Sequence, residues 1–188
     1  MYHYLKTDMT SGQGNEPPWT VGESRSITGP PVLCQVGYHA SPTIFDALQY
    51  APGPILCEVE LGGKILTDTD KSVGQERRLI AAVNVDRELR LFACDCTERV
   101  LPLFEAVYPD DKRPKEAIRI ARLFAQGKAT QQELDTAHAA AEDAGANVWA
   151  NVRATAGANA WATELIWQKE HLEALLLPVL QAAIPQTR

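Results

Sequence analysis

Two groups of residues have the types and spacing for chemistry. The first is Tyr38-His39-Ala40-Ser41 with Tyr50 and Glu58 or Glu60, joined by Tyr2-His3-Tyr4 at the start of the chain. Together they offer a proton acceptor, aromatic surface and a carboxylate able to stabilise developing positive charge. The competing reading is structural: His39 holds a turn through hydrogen bonds, and Glu58 and Glu60 point from one face of a strand into water. The second group is Asp110, Asp111, Lys112 and Arg113, with Arg122 further on. Arg113 could clamp a carboxylate on a partner. Alternatively, Asp111 caps the following helix and Arg113 anchors the loop to it, while Arg119 and Arg122 belong to a solvated helical face with Lys115 and Glu116. His138 and His171 sit alone, with no second ligand four residues on. Cys94-Asp95-Cys96 lacks the two-residue gap of a zinc knuckle, so no metal site is expected. A Walker loop and the G-x-G-x-x-G, G-x-S-x-G and H-E-x-x-H patterns are all missing, which disfavours the common cofactor enzymes.

The elements that must position these residues change character near Asp86. Before it lie short extended runs between turn signals: Met1–Lys6, Trp19–Val21, Val32–Val36, Ile55–Leu61, a return at Lys64–Thr67 after a turn at Gly62-Gly63, and Arg78–Val85. Ser41-Pro42 opens a helix of about two turns. After Asp86 the apolar period lengthens to about 3.6, and Pro102 is expected to kink or divide the first long helix. A second helix starts near Pro114 and ends at Gly127, and Thr130-Gln131-Gln132-Glu133 is a capping box for a third. Alanine then dominates residues 135–163, with Trp149 and Trp161 filling wider gaps, before a leucine-rich final helix. The fold expected is α+β: a small, mostly antiparallel sheet unit over 1–85, then an α-helical bundle over 86–188.

Composition and charge narrow the function. The chain has 188 residues, 45% of them hydrophobic and 22% charged, enough apolar matter for a core. The net charge of −6 divides evenly, with six basic and nine acidic residues through position 85 and twelve and fifteen after it. Neither part has a basic patch, so direct nucleic-acid binding is not expected. The first residues resemble no secretory leader and no stretch is long enough to span a bilayer. A cytoplasmic location with reduced cysteines is therefore expected, with no membrane contact.

Residues 92–130 resemble a family of immunity proteins found beside bacterial polymorphic toxins. The pattern is carried by Ala93, Cys96, Glu98, Phe104, Glu105, Pro109, Asp110, Asp111, Arg113, Pro114, Ala117, Ile118, Ala121, Arg122, Gly127 and Thr130. The first part is similar to a domain of unknown function common in phage-encoded proteins, through Cys34, Gly37, His39 and Ala40, the run CEVELGG at 57–63, and Asp70-Lys71-Ser72-Val73. These resemblances imply a phage or prophage accessory protein that binds another protein without catalysis, as toxin immunity or as an anti-defence factor such as an anti-CRISPR. Asp110, Asp111, Arg113 and Arg122 are its candidate contacts. Cofactors are not expected on this reading, and self-association is open. The first chemical group, in turn, resembles the sheet of ADP-ribosyltransferases. That likeness implies an NAD-using enzyme built on His3, Tyr38, Tyr50 and Glu60, with His3 at the nicotinamide ribose. A third alternative is a component of the phage particle.

Overall fold

A computed structural model describes residues 1–12, 14–145 and 158–185. The chain forms two compact units, Met1–Asp86 together with the chain from Leu172 onward, and Arg87–His171. Trp149 lies outside the described residues, as does the side chain of Trp161, so the indole spacing read above is not visible here.

The first unit is an antiparallel sheet. Strands β1 (Tyr2–Leu5), β2 (Ser24–Ser26), β3 (Tyr38–Ala40), β4 (Ile55–Thr67) and β5 (Ser72–Asn84) are arranged in the order β1-β4-β5-β2, and β3 also pairs with β5. The long β4–β5 hairpin forms because both segments alternate. Ile55, Cys57 and Val59 are buried while Glu58 is half-buried and Glu60 exposed, so the second face becomes wetter along β4, although Leu56 and its partner Tyr4 are buried on it at the near end. Leu5, Trp19, Tyr38, Ala40, Ile55, Cys57, Val59 and Leu79 pack together on the covered side.

Gly62-Gly63, expected to reverse the chain, instead lies inside β4. The pairing register slips between Gly62 and Ile65, and Gly63 takes the left-handed φ of 67°, so the glycines build a bulge. The reversal comes later, at 68–71, closed by the Asp68 N–H donating to the Lys71 carbonyl at 2.8 Å. The two runs expected at Lys64–Thr67 and Arg78–Val85 are thus parts of longer strands. Trp19–Val21 is not a strand, although Trp19 is 3% exposed. Val32 and Val36 pair only with each other around a tight loop.

Helix α1 (Ile44–Leu48) is capped by Thr43, whose Oγ1 accepts from the Asp46 N–H at 3.0 Å. Ser41, expected as the cap, instead pairs with Tyr2 through two backbone hydrogen bonds of 2.8 and 2.9 Å. Helix α2 (Asp86–Val107) carries Pro102 inside it as one continuous helix, so the proline does not divide it. Helices α3 (Arg113–Ala125) and α4 (Gln131–Gly145) follow, with Gly127 at φ 70° just past the end of α3. The capping box forms: the Glu133 N–H donates to Thr130 Oγ1 at 3.2 Å and the Thr130 N–H to Glu133 Oε2 at 2.7 Å. Helix α5 (Ala158–Ala183) is the last described element, and Leu172, Leu176 and Leu180, spaced by four, are fully buried. None of the described helices is long and apolar enough to cross a membrane.

Candidate functional site

A cavity of about 790 Å³ opens in the sheet unit, and His3, Tyr38 and Tyr50 all line it. Cross-strand partners in a sheet share a face. His3 on β1 stands opposite Cys57 on β4, so its side chain lies on the Cys57–Val59 side. Glu58 and Glu60 alternate to the other face. Glu60 lines no part of the cavity and reaches the exposed Arg78 at 3.9 Å. Three of the four residues expected for an NAD-using site therefore share a cavity, and the carboxylate does not join them.

The same cavity holds residues that the sequence reading passed over. Arg77 on β5 is only 3% exposed. Its guanidinium lies 4.4 Å from the Trp19 ring centre and 5.1 Å from that of Tyr38. It donates to the His39 carbonyl at 3.1 Å and to Ser11 Oγ at 3.5 Å. Burial pulls its pKa down to about 10 against the opposing pull of Glu16. Glu16 also lines the cavity, yet it is already engaged by Ser11 Oγ at 3.1 Å, Trp19 Nε1 at 3.2 Å and Arg25 at 3.9 Å. Among the described residues no carboxylate lies within ion-pair distance of Arg77. His3 Nε2 is shut off from solvent without a hydrogen-bond partner. Burial, reinforced by Arg77 and His39, holds this imidazole well below its ordinary pKa, so it is neutral. His39 accepts from the Cys34 N–H at 2.9 Å through Nε2 and thereby ties down the 34–39 loop. No local sequence signal singles out Arg77, because Arg77 is in phase with Leu79 and Arg78 equally with Ile80.

In the helical unit, the corner after α2 is an internal structure. Arg113 grips Asp111 through Nε and Nη2 at 2.7–3.2 Å, and the Arg113 N–H donates to Asp111 Oδ1 at 3.1 Å. Asp110 is exposed and makes no hydrogen bond or ion pair among the described residues. Just before it, Leu103, Val107 and Tyr108 are 50%, 58% and 38% exposed. The corner thus adds one free carboxylate to three exposed apolar side chains within a few residues of chain.

Arg122 belongs to a different arrangement. From α3 it reaches two carboxylates on α2, Asp95 at 2.6 Å and Glu98 at 2.6 Å. The pairing with Glu98, more than that with Asp95, raises the guanidinium's pKa. Asp95 in turn meets His171 Nε2 at 2.6 Å. Burial would raise the Asp95 carboxyl, but the hydrogen bonds of His171 and Arg122 outweigh it and hold it below the usual carboxylate range. His171 stacks on Trp167, ring centres 4.5 Å apart, and the Arg99 guanidinium lies 3.9 Å from the Trp167 ring centre. Arg122 is therefore spent in fastening α2 to α3.

Among the described residues no group of three His, Cys, Asp or Glu is placed to hold a metal ion. Cys57 and Cys94 are buried, Cys96 is half-buried and Cys34 exposed. Compared with known families, residues 81–175 match that of the Imm-5 like putative immunity protein. Residues 1–91 match a domain of unknown function, DUF7666. No curated protein and no solved structure matches the chain.

Proposed function

We propose, for a chain that belongs to the Imm-5 like putative immunity protein family, that it neutralises a protein toxin by binding and covering the toxin's working surface. The observation that carries this reading is the extent of the family match, which includes the whole helical unit of Arg87–His171. Toxin immunity is preferred to an anti-defence role because the matched family is one of immunity proteins. An immunity protein needs a complementary surface and no catalytic group, and the exposed end of α2 supplies one.

Leu103, Val107 and Tyr108 form the apolar centre of that surface, and the unpaired Asp110 beside them suits a basic rim on the toxin. Interfaces of this kind draw most of their energy from a few buried apolar and aromatic anchors. Asp111 and Arg113 shape the patch by bracing each other. Arg122 lies outside it, so the contact set read from sequence narrows to Asp110 and the corner that presents it.

The test is co-expression of the toxin encoded beside this chain's gene, with and without the chain. The reading expects growth to be restored by the wild type and lost with the double variant Leu103→Asp, Val107→Asp at equal protein level. Continued toxicity in the presence of the wild-type chain would overturn it.

A further inference from the structure

We infer that the cavity of the sheet unit is a binding site for a small organic anion, a carboxylate or phosphate ester, whose charged group docks on Arg77. The inference stands apart from toxin binding, because every residue it uses lies in the sheet unit.

Arg77 is almost wholly removed from water, and a buried guanidinium is costly unless an anion and hydrogen bonds replace its hydration. The protein supplies part of that replacement. Trp19 and Tyr38 offer ring faces, and the His39 carbonyl and Ser11 hydroxyl accept two of the five N–H bonds. What is missing is the counter-charge. Arg25, the other guanidinium over Trp19, at 4.1 Å, has Glu23 at 2.7 Å and also draws on Glu16. Arg77 has neither within ion-pair distance, and Glu16 acts on it only from further off.

A guanidinium with spare donors presents a planar fork that fits carboxylate or phosphate oxygens in pairs. His3 lines the same cavity on the same face of the sheet, and its buried Nε2 has no hydrogen-bond partner among the described residues. Lys71 adds a second positive charge to the lining, against the single carboxylate of Glu16. The volume, about 790 Å³, is that of a site for an organic molecule and far exceeds what a bare ion fills. Tyr50, half exposed, holds Lys71 4.8 Å from its ring centre and offers the rest of its exposed ring to the uncharged body of the ligand.

The experiment titrates the full chain with four probes: inorganic phosphate, adenosine monophosphate, glucose 6-phosphate and benzoate. Binding is read by calorimetry and by the Nε–Hε resonance of Arg77 in a nitrogen-15 spectrum. We expect at least one organic anion to bind saturably and shift the Arg77 resonance. Arg77→Gln should weaken that binding more than tenfold, and Tyr50→Ala severalfold. Inorganic phosphate alone should bind more weakly than the organic probe. The preferred probe separates a phosphate ligand from a carboxylate one. No saturable shift at Arg77 with any probe up to 10 mM, or binding unchanged in a folded Arg77→Gln protein, overturns the proposal. Should Arg77→Gln fail to fold, the wild-type resonance and the Tyr50→Ala affinity decide the matter.

Discussion

Replacing Arg122 by methionine separates the structural role of this residue from partner contact. Methionine keeps most of the aliphatic stem while removing the charge that joins Asp95 and Glu98. Glu98 is 49% exposed, so its arm is worth only ~0.3 kcal/mol. Asp95 is 24% exposed and bonded at 2.6 Å, so its arm is worth about 1 kcal/mol or somewhat more. A total of about 1–2 kcal/mol corresponds to a melting temperature roughly 5–15 °C lower for a unit of this size. Circular dichroism at 222 nm on heating measures it. The loss should also depend on pH. The Asp95 carboxyl is held below its ordinary value in the folded state, so its pairing stabilises the fold above the unfolded carboxylate's pKa of about 4 and fades as the pH falls through the folded value. The penalty for Arg122→Met should therefore be full at pH 7 and smaller near pH 2.5. A penalty that is negligible at pH 7, or equal at the two pH values, would refute the reasoning. Toxin neutralisation by the variant should persist below its melting temperature.

Three further outcomes follow from the packing. Iodoacetamide at pH 8 should alkylate Cys34 well before Cys96 and Cys57, whose thiols burial pushes up to about 11 and about 12; intact-mass spectrometry reads the order. Gly37→Ala should cost about 2–3 kcal/mol in urea denaturation, because φ is 119° and an added Cβ would meet Val73 Cγ2 at 2.7 Å and the Gly74 carbonyl oxygen at 2.9 Å. Thr130→Ala should remove the Oγ1 half of the capping box, leaving the backbone N–H bond to Glu133, and cost about 1 kcal/mol in the same assay.

Local signals carried far in this chain, and long-range ones did not. Thr130-to-Glu133 and the Gly127 stop are decided within a turn of helix, and both were readable as written. The α+β class followed from the change of period near Asp86, and both family resemblances, carried by polar and proline positions in register, were found again in the comparisons. Gly62-Gly63 misled because a glycine pair serves a turn or a bulge equally well. Only the partner strand decides, and Glu76 and Gln75 lie across from it. Of the kink or division expected at Pro102, the division does not occur, because a proline costs one hydrogen bond and some steric strain, less than is needed to end a helix of this length.

The cavity was half legible. His3, Tyr38 and Tyr50 come together, although Tyr50 is 48 positions from Tyr2 in the chain. Glu60 stays away because a strand's alternation, already visible in CEVEL, turns Glu58 and Glu60 from the face that Cys57 and Val59 cover. Arg77 was hidden among the charges of QERR, where nothing local distinguishes the arginine that is buried from Arg78, which is not.

The most direct test of the toxin-binding account is light scattering on size-exclusion chromatography, with the purified chain mixed with the toxin it is proposed to neutralise. The account predicts a complex of defined stoichiometry for the wild type. It also predicts at least a hundredfold weaker association for Leu103→Asp, Val107→Asp, which removes two central anchors from an exposed patch. Separate elution of wild-type chain and toxin at micromolar concentration would contradict the account, as would full association by the double variant.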